Sequence, residues 1–162
     1  MNAYLATPRS ANAIIEVATS AAIKTLLQVA TPSTTDIRVL AWGISFDGIV
    51  PTNPPGQVTL GDYDVAATVT TLTPEEWESD DLAASLCVGG TAATGYNASA
   101  EGTIGATTRL LDVQNVHPQT GYSIWLPERL RPRVKASRFL RIRALFSVDI
   151  NAIPWILFGE PG

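Results

Sequence analysis

The side chains that usually do chemistry are scarce in this sequence. His117 and Cys87 are the whole supply of imidazole and thiol. A histidine acting as general base needs a nucleophile and an orienting acid beside it. His117 lies in the turn-like run Val116-His117-Pro118-Gln119-Thr120-Gly121, and the sequence has no Gly-x-Ser-x-Gly elbow to supply the nucleophile. It reads as a loop or interface histidine. Cys87 sits between Leu86 and Val88 with nothing local to lower its pKa, so it reads as a packed small hydrophobe. A lone cysteine also excludes an intrachain disulfide and a zinc centre built from several thiolates. Gly90-Thr91-Ala92-Ala93-Thr94-Gly95 copies the glycine spacing of a phosphate loop, but Tyr96 and Asn97 stand where that loop needs lysine and a hydroxyl residue. Asp47, Asp62 and Asp64 could approach one another as calcium ligands, yet no calcium-loop spacing surrounds them, and turn or solvated-face roles fit better. The expectation is a protein without catalytic residue, cofactor or metal, and not an enzyme.

Charge is the distribution that stands out. Glu75, Glu76, Glu78, Asp80 and Asp81 form an acidic corner, while Arg129, Arg131, Arg133, Lys135, Arg138, Arg141 and Arg143 supply seven of the eleven basic residues. One reading solvates an outer sheet face with the arginines; a sharper one docks the basic stripe on an acidic protein surface, where guanidinium groups grip carboxylates in pairs. Nucleic acid is disfavoured, because the net charge is -4 and few aromatics interleave with the arginines.

The 162 residues suffice for one domain with a sizeable core. The start, Met1 to Arg9, does not read as a secretory signal, and no apolar run reaches the roughly 20 residues of a membrane helix. Residues 1–12 read as an N-terminal arm and 13–162 as the domain. Within 13–29 a helix and a strand compete; alternation favours the strand, with Ile23, Thr25, Leu27 and Val29 opposite Lys24 and Gln28. Residues 36–47 read as a strand with Ile37, Val39 and Ala41 on one face and Leu40, Trp42, Ile44 and Phe46 on the other, turning at Asp47-Gly48. Residues 50–56 carry three prolines and must be a loop. After the β-rich stretch 58–72, Thr73-Pro74-Glu75-Glu76 has the cap, first-position proline and capping-box glutamate of a short helix ending near Leu82 or Ala84.

Beyond the loop at 89–95, residues 98–111, 122–126, 138–146 and 150–158 read as strands, the last at a sheet edge because of Pro154. Leu140, Ile142, Ala144 and Phe146 alternate with Arg141 and Arg143, the pattern of a sheet with one wet face. The expected fold is all-β, an antiparallel β-sandwich or jelly-roll-like barrel with one short helix. Trp42, Trp77, Trp125 and Trp155 fit core or interface anchors better than a sugar-stacking platform.

Several stretches resemble the small decoration (cement) proteins on the capsids of tailed bacteriophages, in an all-β type. They are residues 37–48 (IRVLAWGISFDG), 90–103 (GTAATGYNASAEGT), 137–160 with its Phe139-Leu140-Arg141-Ile142-Arg143 centre, and 18–32. The sequence departs from that pattern at 125–132, where a tight turn would follow the strand tryptophan. The resemblance implies a non-enzymatic virion protein, assembled in the host cytoplasm and bound to the outside of the major capsid protein lattice. It further implies a homo-oligomer, a trimer favoured over a dimer, with no nucleic-acid or membrane partner. On this reading Tyr4, Leu5 and Arg9 of the arm and Arg129, Arg131, Arg133, Arg141 and Arg143 of the stripe would be the contacts, and a carbohydrate- or receptor-binding jelly roll is the alternative.

Overall fold

A computed structural model describes residues 1–47, 50–79 and 81–161, so Gly48, Asp80 and the turn expected at Asp47-Gly48 lie at or outside the described limits. In chain order the strands are β1 (Asn2–Ala6), β2 (Arg9–Ser10), β3 (Ala13–Ile14), β4 (Val17–Ala18), β5 (Lys24–Ala30), β6 (Ile37–Asp47), β7 (Gly56–Tyr63) and β8 (Thr68–Thr71). They continue with β9 (Glu75–Glu76), β10 (Gly95–Ala100), β11 (Arg109–Val116), β12 (Tyr122–Trp125), β13 (Arg133–Val134), β14 (Phe139–Leu145) and β15 (Asn151–Glu160). One sheet has the order β12-β6-β15-β1-β9, with β13 also on β6 and β4 on β15; the other runs β11-β7-β14-β5-β10-β8. Every strand pair in them is antiparallel. We call them the β6 sheet and the β14 sheet.

The fold is the expected all-β sandwich, and its core lies between the sheets. Tyr4, Ile37, Val39, Trp42, Ile44, Ile156 and Phe158 of the β6 sheet meet Leu26, Leu27, Val29, Val58, Leu60, Leu140 and Ile142 of the β14 sheet. The sheets do not close into a barrel; each keeps two edges.

Two one-residue irregularities decide which side chains face this core. Ala41 pairs with Leu157 and Val39 with Phe158, leaving Leu40 as an extra residue in β6. Such a bulge reverses the in-out alternation. Ile37 and Val39 therefore share the core with Trp42 and Ile44, while Leu40 and Ala41 fall in a separate cluster with Ala3 and Leu157. In β5, Ile142 pairs with Leu27 and Arg143 with Thr25, so Leu26 is the extra residue. Leu26 joins Leu27 in the core, and Thr25, expected beside Leu27, turns to the Gln28 side, where both bond to overlying loops. The two faces read from strict alternation are thus corrected at Leu40 and at Leu26.

Other expectations are corrected by pairing. The supposed arm contains β1, which lies between β15 and β9 with Tyr4 buried. The helix expected from Thr73 is instead β9: Glu75 and Glu76 pair with Leu5 and Tyr4, and Leu72 is buried. Tertiary pairing here outweighs a local cap signal. A 3-10 turn at Glu128–Leu130 is the only helical element among the described residues. The strand expected over 98–111 is interrupted between Ala100 and Arg109, where Gly102 takes a φ of +70°. Finally, β15 is central rather than an edge. Its ladder with β1 ends at Ala6 opposite Ile156, two residues short of Pro154, and Thr7 donates its hydroxyl to the Pro154 carbonyl at 3.0 Å. The proline sits where β1 no longer asks for an N–H.

Candidate functional site

The outward face of the β6 sheet carries a row of apolar side chains. Trp125 of β12 lies opposite Ala41 of β6, Ala41 opposite Leu157 of β15, and Leu157 opposite Leu5 of β1. One pair further along, Trp155 lies opposite Gly43. A Cβ at position 43 would come within 2.7 Å of the Trp155 indole, so the missing side chain is what lets that ring lie flat on the strand. Trp77 follows β9 and is tied down by its N–H to the Ala3 carbonyl at 2.9 Å. Leu5, Thr7, Trp77, Trp125, Trp155 and Leu157 together line a groove of about 300 Å3. Trp77 is 52% and Trp125 62% exposed, unusual for large aromatics unless something covers them. The rings of Trp125 and Trp155 are 6.2 Å apart and tilted by 47°. The single hydroxyl in the groove, that of Thr7, is already given to Pro154.

Trp42 plays the core-anchor part expected of the strand tryptophans. Its indole N–H and the Tyr122 hydroxyl both donate to Asp112, at 3.2 and 2.9 Å. Burial, then Asp112, pushes the Tyr122 phenol up to about 12.

The basic stripe does not form a free face. Arg141 is fully buried, its guanidinium 4.9 Å from the Tyr63 ring centre. It donates to the Glu101 carbonyl at 3.1 Å, to Glu101 Oε2 at 3.4 Å and to the Val65 carbonyl. Burial pulls its pKa down and Glu101 opposes that pull. Arg143 donates to the same Glu101 oxygen at 3.1 Å, and Thr25 Oγ1 to Glu101 at 2.8 Å. The expected wet face at Arg141 and Arg143 is therefore corrected: loop residues Val65 and Glu101 cover it. Arg138 and Arg109 grip the buried Asp62 at 2.7 and 2.8 Å, and Arg133 pairs with Asp36.

The remaining expected contact residues scatter. Tyr4 points into the core and donates to the Ala83 carbonyl at 2.7 Å; Leu5 lies in the tryptophan groove; Arg9 pairs with Glu75 at its rim. Arg131 donates to the Leu126 carbonyl at 3.1 Å, and Arg129 is exposed. Of the acidic corner, Glu76 is half-buried and Glu78 and Asp81 are exposed, while Asp80 lies outside the described residues. Sequence reasoning missed the groove, because its residues come from four separate segments and only the side-by-side pairing of β12, β6, β15, β1 and β9 puts them on one face.

The chemically active types stay dispersed. Cys87 is buried, and burial together with Glu160 pushes its thiol far up. Glu160 accepts from Ser85 at 2.6 Å and from the Leu86 N–H at 3.0 Å, which fixes the 85–87 loop. His117 accepts the Gln119 N–H at 3.2 Å within its own turn. Asp62 is occupied by arginines, and Asp64 accepts from the Gly105 N–H at 3.0 Å and Thr107 at 2.9 Å. Among the described residues no group of three or more histidine, cysteine or carboxylate side chains could hold a metal. Among the described residues no helix is long and apolar enough to cross a membrane. No known protein family, curated protein or solved structure matches the chain.

Proposed function

We propose that this chain is a virion structural protein of the decoration type, whose tryptophan groove docks on the outer surface of a tailed-phage major capsid protein lattice and stabilises the head. The observation that carries the reading is the apolar groove: three indoles, two of them more than half exposed, set beside Leu5 and the buried Leu157. Exposed aromatic anchors on a rigid sheet suit protein recognition, because they lose little conformational entropy when covered.

Magnitudes favour a repeated lattice over a single partner. Covering one half-exposed indole removes on the order of 100 Å2 from water, worth about 2–3 kcal/mol. Two such rings give about 5 kcal/mol, which the cost of association largely offsets. Useful affinity then needs many sites engaged together, as on a capsid.

A second reading, sugar binding, has the tryptophans in its favour. It lacks the converging polar groups that orient a sugar, since Thr7 is the one hydroxyl in the groove and is internally bonded. The test is co-sedimentation with undecorated capsids. Saturable binding limited by lattice sites, and lost in Trp125→Ala, supports the reading. Absence of saturable binding, or binding to a glycan array that the same substitution removes, overturns it.

A further inference from the structure

The two sheets part at one end. There β11 ends the β14 sheet and β12 ends the β6 sheet, and among the described residues no ladder joins them. Between them opens a cavity of about 250 Å3 that shares no residue with the tryptophan groove. Leu60 and Leu111 line it from one sheet and Ile124 from the other, with the exposed Leu130 at its mouth. Register slips along β11: Leu110 pairs with Gly61 and Asp112 with Leu60, leaving Leu111 as an extra residue. Leu110 and Val113 face water, while Leu111, Asp112 and Gln114 all line the cavity. A carboxylate is thus aimed into the seam between two sheets, where inward positions are ordinarily apolar. Its partners are all neutral. Oδ2 accepts the Trp42 indole N–H at 3.2 Å and the Tyr122 hydroxyl at 2.9 Å, and Oδ1 accepts the Gln114 amide at 2.7 Å. Asp36, Asp62 and Glu101 each hold at least one arginine, whereas Asp112 forms no ion pair with any described residue. Glu160 also has neutral partners only, but at 2% exposure it is closed to a ligand. Arg131, beside Leu130 in sequence, lines a separate hollow with Met1, Arg38 and Glu128.

We propose that this cavity binds a primary alkylammonium ion, its chain among the apolar side chains and its N–H on Asp112 Oδ1. A carboxylate oxygen accepts two hydrogen bonds, so Oδ2 is full and Oδ1 has one position open. A single open acceptor suits an ammonium, which donates from a point, better than a guanidinium, whose fork needs two. Apolar walls disfavour a hydrated inorganic cation, which would lose its water against side chains that cannot replace it. The volume lies below the roughly 300–1,000 Å3 of drug-sized sites and admits a short chain. The Tyr122 phenol, pushed up by burial and then by Asp112, feels the negative charge that an ammonium would neutralise. A free amine and the lysine side chain of a protein carry this same chemistry.

The test follows the Trp42 indole N–H signal by heteronuclear NMR while n-butylammonium is added to the full chain. The expected result is a saturable shift with a Kd of about 10 mM or less. The neutral n-butanol, with the same carbon chain, should bind at least about tenfold more weakly. Asp112→Asn keeps the shape and removes the charge, so that preference should vanish. Gln114→Lys sets an ammonium within reach of Oδ1 from the same strand, and should weaken n-butylammonium binding at least about tenfold with circular dichroism unchanged. This second variant decides the matter if Asp112→Asn does not fold. Nα-acetyl-lysine methylamide separates the two sources: affinity equal to that of n-butylammonium marks a protein lysine, and loss of binding marks a free amine. A shift that does not saturate, equal binding of n-butanol, or a folded Gln114→Lys chain that takes n-butylammonium as before would each overturn the inference.

Discussion

The two outward faces of the sandwich are built to opposite ends. Over the β14 sheet, Gln28 bonds the Ala67 N–H at 2.9 Å and the Ala93 carbonyl at 2.6 Å, and Glu101 is shared by Arg141, Arg143 and Thr25. That face is polar yet closed, because the chain's own loops use its donors and acceptors. Over the β6 sheet, Trp77, Trp125, Trp155 and Leu5 have no such cover. A charged face can thus have little left to offer a partner, while an uncharged one leaves its outermost rings, Trp77 and Trp125, open to water.

The sharpest way to break this contrast is to open the closed face. Arg141 is fully buried and donates to the Glu101 and Val65 carbonyls. Arg141→Ala empties its site and leaves those acceptors unpaired while Arg143 still holds the Glu101 carboxylate, so it should lower unfolding free energy by about 2–4 kcal/mol in urea titration. A loss under about 1 kcal/mol would mean that the loops stay closed without it. On the open face the balance reverses. Trp125→Ala should change stability by no more than about 1 kcal/mol, yet weaken capsid affinity by about 2 kcal/mol or more, roughly 30-fold. Equal effects on both would erase the distinction. Between them stands Gly43→Ala, whose new methyl would displace the Trp155 ring. It should cost about 1–2 kcal/mol of stability and disturb Trp125 fluorescence, although position 43 itself is buried.

The smallest effect is in acid. Asp36 is held below the ordinary carboxyl range by the Ala136 N–H, then by Arg133, and Asp64 by Thr107, then by the Gly105 N–H. A carboxylate with a lowered folded pKa contributes stability above its unfolded value, near 4, and loses it as pH falls through the folded one. Glu16 acts with the opposite sign: hydrogen bonding with Asp47, then burial, raises its pKa, so protonation favours the fold there. Asp64→Asn should therefore flatten the acid-side decline in thermal midpoint between about pH 4 and pH 2. An unchanged decline would show that the loop at 101–108 is sealed without that carboxylate.

Much of the architecture was legible in residue types alone. The prolines of 50–56, the alternation in 139–145 and the glycines near 90 announce loops and strands that the fold contains. Alternation could not reveal that Arg141 is buried, since that depends on Glu101 and Val65, 40 and 76 residues away in sequence. Nor could local signals reveal β9, because the partner that converts a capping motif into a strand is β1, about seventy positions upstream. The groove was illegible for the same reason. Its tryptophans are plain in the sequence, but their shared face depends on which strands lie side by side.

Leu40 sets the phase of β6 on either side of it. Removing that one residue would act on the strand as a frameshift acts on a message: everything on one side of the cut would be read inside out. Arg38 would be driven toward the core while Ile37 and Val39 turned to water, or else Trp42 and Ile44 would be expelled instead. A homologue that tolerates length changes in its loops should therefore keep the number of residues between positions 37 and 44 constant, whatever the side chains become.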